Sequence, residues 1–527
     1  MKQLLLLCFI LTSIYSNSQA SLVDDFFPGS VGTFPQKFHV HNGTLYFTTT
    51  VTGLTGEELS YSNGAFVNGV ADYNPGAADS SPTGLISYNG NLYFTAENNT
   101  DGKEIWKGNG LSFSVLKDIN PGSSNSTPLY YTEYNGNLIF SAFDGIAGRE
   151  LWISDGTNAG TTRLKDINTS TSTTDSNPDG FTEYNGLLYF AARTSIATEG
   201  IELYFTDGTT SGTQLLIDIN PNDDSRPQNL IVFNNKLYFT ADNGTTGREL
   251  WETDGTVSGT QLVLDLNPGS VDSNPQNLTI YNNRLYFTAT SAVVGNELFY
   301  VGTNGNITQA ANINPGAADS FPNNLTVFNG KLYFSTNDGV NGIELWETSG
   351  TSFTTVMTKD IDPIGESTPM GFTEYNGKLY FNADDGTNGR ELWVTDGTTN
   401  GTIMVANINA GSDSDPIGLT VYNNELFFSA DDGVSGRELW KYKDPTLSIS
   451  NTELNEFNLY PNPSQKGFTI QTKAIVKGVD ILNLEGKKMI SFKNDLNYYD
   501  IESLDAGIYF VSIKTINGKS VKKLVKI

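Results

Sequence analysis

The chain has 527 residues, 38% hydrophobic and 12% aromatic, with 53 glycines and a formal net charge of −27. It is too long for one ordinary domain and too apolar for a disordered chain, and its glycines fall at turn-like places, which points to an all-β protein. An acid excess of this size repels phosphate backbones and excludes nucleic acid as a partner, while it suits cations or plain solubility.

Residues 1–20, MKQLLLLCFILTSIYSNSQA, read as a secretory signal peptide. Lys2 supplies the positive start, Leu4 to Ile14 the apolar run, and Ser18-Gln19-Ala20 the small residues for cleavage between Ala20 and Ser21. The run is too short to cross a bilayer of about 30 Å, and no other stretch is apolar enough, so no transmembrane segment is expected. Cys8 is the only cysteine and leaves with the signal, so the mature protein has no disulfide and no thiolate metal site.

Residues 21–445 are built from one repeated unit. A glutamate preceding Leu or Ile recurs at Glu58, Glu104, Glu150, Glu202, Glu249, Glu297, Glu344, Glu391 and Glu438, at spacings of 46 to 52. A second motif keeps step with it, as in NGTLYF (42–47), NGNLYF (89–94) and NGKLYF (329–334 and 376–381). One unit, 325–362, reads as four strands: LTVF, KLYFST, IELWET and TTVMTKDI. Asn329-Gly330 joins the first two as a hairpin, and Asp338-Gly339 with Asn341-Gly342 joins the next. Four units close with Asn-Pro-Gly, which ends the outer strand in a tight turn.

Four strands per repeat of this length mark a propeller blade. The Leu-Tyr-Phe strand is apolar on both faces, as expected where neighbours cover both sides. All six tryptophans, Trp106, Trp152, Trp251, Trp346, Trp393 and Trp440, occupy one position of the repeat. A residue used in six of nine copies, with Tyr204 and Phe299 in two others and Ser60 in the first, reads as inter-blade packing. The repeated glutamate reads likewise as structural, pairing with a neighbouring blade's backbone or with the arginine before it. The last copy, 436–445, has no fourth strand, while LVDDFFPGS (22–30) matches LVLDLNPGS (262–270). The expected fold is therefore a ring of about nine blades, closed by the first residues of the mature chain. An open or solenoidal array, or a smaller ring with leftover strands, are the alternatives. The repeats resemble the ELWxxDGT repeats of secreted bacterial proteins: ELWISDGTNAGT (150–161) and ELWVTDGTTNGT (391–402) fit fully, and ELSYSNG (58–64), EIWKGNG (104–110) and ELFYVGTNGN (297–306) depart from it. That resemblance implies no reaction.

After Asp444-Pro445 the composition changes: residues 446–527 hold 11 Lys and 8 acidic residues. Residues 446–456 read as a polar linker and 457–527 as a small immunoglobulin-like β-sandwich. This segment resembles the type A C-terminal sorting domain of the type IX secretion system. The resemblance rests on Tyr460-Pro461-Asn462-Pro463, Leu484-x-Gly486-Lys487, Leu504-x-x-Gly507-Ile508-Tyr509-Phe510-Val511 and the closing Lys522-Lys523-Leu524-Val525-Lys526. It implies passage through the type IX machinery, a sortase-like processing enzyme that removes the tail, and attachment of the body to surface lipopolysaccharide.

Catalytic motifs are scarce. The mature chain has two histidines, His39 and His41, on one face of a strand, with no acidic or third histidine partner nearby in sequence. Ser-His-Asp triads and histidine zinc sites are hard to build from them. Asp384, Asp385, Asp431 and Asp432 are calcium-loop candidates set against an ordinary turn-forming role, and calcium is the one cofactor considered. The expected function is a secreted, cell-surface binding protein for a glycan or surface protein, with repeated loops acting multivalently. The alternative is a carbohydrate-active enzyme, a glycosidase or lyase, using paired carboxylates. The irregular stretches 168–180 and 193–200 are the most individual loops.

Overall fold

The computed structural model describes residues 20–26, 28–51, 55–70, 72–76, 78–170, 174–194, 200–445, 457–472, 476–483, 487–493, 496, 498–515 and 518–527. The signal run up to Gln19, the linker 446–456, Leu484 and Gly486, and most of the loop 193–200 lie outside these residues. The chain forms two compact units, Met1–Lys443 and Asp444–Ile527.

The first unit contains, among the described residues, nine four-stranded antiparallel sheets. We number them as blades 1–9 by their first strands: Gln36–His41, Thr83–Tyr88, Leu129–Tyr134, Asp179–Tyr184, Gln228–Phe233, Gln276–Tyr281, Asn323–Phe328, Met370–Tyr375 and Ile417–Tyr422. In blades 1–8 the four strands follow chain order. In blade 9 the fourth place is taken by Ser21–Asp24, antiparallel to Arg437–Tyr442, with Ser21 opposite Lys441 and Leu22 opposite Trp440.

Each first strand touches the first strands of both neighbours, and that of blade 9 touches that of blade 1. The first strands are thus the innermost, and the ring is closed. The closing seam uses the same bonds as the others. The Tyr88 hydroxyl donates to the Gly136 carbonyl at 2.6 Å, Tyr134 to Gly186 at 2.7 Å, and Tyr422 to Gly43 at 2.8 Å across the closure.

Local chemistry explains the blade. Asn329 and Gly330 both have positive φ, 45° and 72°, as a two-residue hairpin turn with right-handed strand twist requires. In the second strand Leu332, Tyr333 and Phe334 are all buried, because neighbouring blades cover both faces. The outer strand differs from the expectation at its start. Ser352–Thr354 form one 3-10 turn, held by Thr354 N–H donating to the Thr351 carbonyl, and the strand is Val356–Lys359.

The tryptophans lie in the seams. Trp152 of blade 3 packs on Ile105, Leu116 and Ile119 of blade 2, and Trp251 of blade 5 on Leu203, Leu216 and Ile219 of blade 4. The second unit has a three-stranded and a four-stranded sheet enclosing Phe468, Val479, Ile481, Tyr499, Val511, Ile513 and Leu524, a two-sheet β-sandwich.

Candidate functional site

The perturbed carboxylates belong to the frame. Glu104 is fully buried; its Oε2 accepts the Ile119 amide at 2.9 Å and the Ser126 hydroxyl at 2.5 Å, and its Oε1 accepts the Ser126 amide at 3.1 Å. Ile119 and Ser126 sit on the linker from blade 2 to blade 3, so the glutamate ties that linker to its own blade's third strand. Glu150, Glu202, Glu249 and Glu344 bind Ser176, Ser225, Ser273 and Ser367 in the same way. At the closure Glu438 accepts from Thr33. Burial pushes Glu104, Glu150, Glu202 and Glu438 up to about 7.

The arginine before the glutamate does not pair with it. Arg149 donates to the Thr127 carbonyl at 2.8 Å and Arg390 to the Thr368 carbonyl at 2.9 Å, fixing the linker that enters the blade. The reading of the repeated glutamate as a neighbour-blade or arginine partner is therefore corrected: it holds its own outgoing linker. The signal was present as a serine 22 to 26 residues after most of these glutamates.

The calcium candidates serve turns. Asp384 Oδ1 accepts the Gly386 amide and Asp431 Oδ1 the Gly433 amide. Asp385 Oδ1 accepts from Thr387 and Asn388, and Asp432 Oδ1 from Val434 and Ser435. Among the described residues no group of three or more His, Cys, Asp or Glu is placed to hold a metal.

What varies around the ring is the wall of innermost strands. The second residue of each has positive φ, with a register shift to the second strand after the first residue. Glycine or asparagine fills this place in seven blades, and Lys37 and Tyr130 hold it at φ 56° and 61°. At Gly418 a Cβ would lie 2.5 Å from the Phe38 ring of blade 1, so glycine there admits the neighbour's aromatic side chain. Asn324 instead donates to the Pro369 carbonyl of the next linker, and Lys37 to that of Pro82.

The fifth residue of each innermost strand is exposed: Val40, Ser87, Glu133, Glu183, Val232, Ile280, Val327, Glu374 and Val421 in blade order. Blades 5–7, with 9 and 1, thus present aliphatic side chains, blades 2–4 present Ser87, Glu133 and Glu183, and blade 8 presents Glu374. Two cavities lie against these strands. One of about 460 Å³ spans blades 6–9, between Asn277 and Leu419. Another of about 360 Å³ lies between Pro35–Phe38 and Ile417–Thr420.

The two histidines meet at this wall. His39 Nε2 and His41 Nδ1 of blade 1 are each 2.9 Å from Ser87 Oγ of blade 2. Asn42 Nδ2 lies 3.0 Å from His41 Nε2 and donates to the Gly90 carbonyl. Burial lowers the pKa of both imidazoles. Ser87 escaped the sequence reading because it is 46 residues from His41 and becomes a neighbour only through ring geometry.

In the second unit the motif residues converge on the final strand, Gly518–Lys526. Asn462 Oδ1 accepts the Val525 amide at 2.9 Å, and its Nδ2 donates to the Lys523 carbonyl at 2.8 Å. Lys522 Nζ donates to Asn458, and Gly507 lies opposite Lys526. Tyr460, Pro461 and Pro463 flank this clasp, and Gly486 lies outside the described residues.

Residues 458–527 match the family described as a secretion system C-terminal sorting domain. The C-terminal unit is a type IX sorting domain. The protein is therefore secreted and attached at the cell surface. No curated protein matches the chain. Among solved structures it is similar to a puromycin hydrolase (11% identity, TM-score 0.35, 66% of this chain and 58% of that one). It is also similar to a prolyl endopeptidase (12%, 0.38, 70% and 55%). A third is the β-propeller domain of the Trilobed protease from Pyrococcus furiosus (10%, 0.33, 60% and 95%). All three likenesses are remote in identity and in superposition. The described residues contain no helix long and apolar enough to cross a membrane.

Proposed function

We propose that the ring is a ligand-binding module displayed at the cell surface, with a glycan as the ligand class. One observation carries this reading: the exposed fifth position of the innermost strands differs from blade to blade while the frame around it repeats. An aliphatic arc and a carboxylate-bearing arc on one wall suit a ligand with apolar C–H faces and hydrogen-bonding hydroxyls. The carboxylates of Glu133 and Glu183 accept hydroxyl protons, and Val232, Ile280 and Val327 cover an apolar face.

The test is glycan-array binding of the purified mature protein beside the Glu133→Gln/Glu183→Gln double variant. Selective binding that the double variant loses is the expected result. Silence across a broad array, or binding the variant retains, overturns the glycan reading and shifts weight to a protein partner. A carbohydrate-active enzyme is the second reading, favoured by Glu133 and Glu183 standing at the same place on adjacent blades, since glycoside hydrolysis uses two carboxylates. Release of reducing ends from any bound glycan would establish it. We also propose that a sortase-like enzyme removes the tail and that lipopolysaccharide anchors the body; intact-mass analysis of the surface protein would then show loss of the sorting domain.

A further inference from the structure

We propose that His39, His41 and Ser87 form a binding site for a borderline divalent transition metal ion, of the copper(II), nickel(II) or zinc(II) class, at the seam of blades 1 and 2. The proposal does not depend on which ligand the wall takes.

Two imidazole nitrogens converge on one point. His39 Nε2 and His41 Nδ1 each lie 2.9 Å from Ser87 Oγ. A hydroxyl has one proton, so it donates to only one of the two nitrogens and requires the other to present N–H. A metal ion seated between these three atoms uses both nitrogen lone pairs and takes the serine oxygen as a third donor. Bond lengths of about 2.0–2.1 Å are reached by small side-chain shifts.

The frame does not explain this trio. The place of His39 is filled by Ile86, Thr132 and Thr182 in blades 2–4, and that of His41 by Tyr88, Tyr134 and Tyr184. Those tyrosines make the seam latch with their hydroxyls, whereas at this seam Asn42 reaches the Gly90 carbonyl. The histidines are the only two in the chain, and both point to one atom. They sit on a paired strand, with His39 opposite Tyr46 and His41 opposite Thr44, which fixes their spacing. The Tyr46 ring, 6.3 Å from His41 between centroids, packs beside the second imidazole. Metal coordination takes the neutral imidazole, the form that burial of the two rings favours. Ser87 is exposed, so the remaining coordination positions face solvent on the wall. Imidazole donors select this class of ion over calcium and magnesium.

The experiment uses the untagged mature protein and copper(II). Calorimetric titration should show one site that tenfold-excess calcium does not displace. His39→Ala and His41→Ala should each weaken it at least about tenfold, and Ser87→Ala less. The copper EPR spectrum of the wild type should show coupling to two nitrogens, a readout that holds even if an alanine variant misfolds. Equal affinity in the double histidine variant, displacement by calcium, or coupling to fewer than two nitrogens would overturn the proposal and move the ion to the carboxylate loops.

Discussion

The second and third strands of each blade say nearly the same thing nine times, and the innermost strands do not. Leu-Tyr-Phe and Glu-Leu-Trp recur because each must meet an equivalent surface on the next blade, so one solution serves all seams. The innermost strand is bound by this demand at its second residue, where left-handed backbone is needed, and at its sixth, where the tyrosine latch sits. Its fifth residue is exposed and free to vary, and it does. Repetition marks what the ring needs to stand, and variation marks the positions that the frame leaves open.

Breaking the repeated part should cost most. Trp152→Ala should destabilise the protein by about 3–5 kcal/mol, read as a lower Tm and unfolding midpoint, because the indole fills a seam against Ile105, Leu116 and Ile119. A loss below about 1 kcal/mol would mean that the seams are not what holds the ring. Glu104→Ala should cost on the order of 3 kcal/mol by orphaning the Ile119 and Ser126 donors, whereas Glu104→Gln, whose one oxygen keeps the Ile119 amide and Ser126 hydroxyl while its amide nitrogen faces the Ser126 N–H, should cost less.

The same glutamates set a pH dependence. Their folded pKa is raised by burial to about 7 from an ordinary 4.5. The folded state therefore binds more protons than the unfolded one between these values. Their contribution is complete below about pH 4.5 and is lost as pH rises to about 7. The Ser126 hydroxyl can serve both states, since it also reaches the Lys103 carbonyl and can turn to accept from a protonated Glu104. The exposed Asp155 and Asp254, whose pKa is lowered by the hydroxyls and amides of Thr157 and Thr256, work in the opposite sense at lower pH. Tm should thus be higher at pH 5 than at pH 8, and Glu104→Gln should flatten that slope. A Tm rising steadily with pH would refute the assignment.

Smaller effects sharpen the comparison. Tyr134→Phe removes one latch hydroxyl and should cost about 1 kcal/mol, since Phe233 and Phe328 already stand at this place in blades 5 and 7. Glu133→Gln and Val327→Ser, on the wall, should change Tm least, within about 0.5 kcal/mol, while altering ligand binding. A large stability loss there would erase the distinction between frame and wall.

Periodicity made much of this fold legible. The closing strand was readable because Leu22-Val23 followed by Pro28-Gly29-Ser30 copies an internal outer strand. The bulge on the innermost strands was not, because its left-handed residue is Gly, Asn, Lys or Tyr by turns and no single letter marks it. The meeting of His39 and His41 with Ser87 was hidden for another reason: seam contacts join residues one repeat apart, and linear spacing does not say which faces touch. The tail motif was legible as words, but its reason is spatial, with Asn462 clasping the backbone of Lys523 and Val525.

The position of Ser21–Asp24 in blade 9 also orders events in time. Its partner strand, Arg437–Tyr442, is more than 400 residues away, so the last pairing joins the earliest and latest parts of the ring. Contacts of such separation form slowly, and until this pairing is made the ring has two bare sheet edges. The stretch that removes those edges lies immediately before the sorting tail. A polypeptide cut short before blade 9 therefore lacks the closing surface and the sorting domain together, so an unclosable ring lacks the signal for the type IX step.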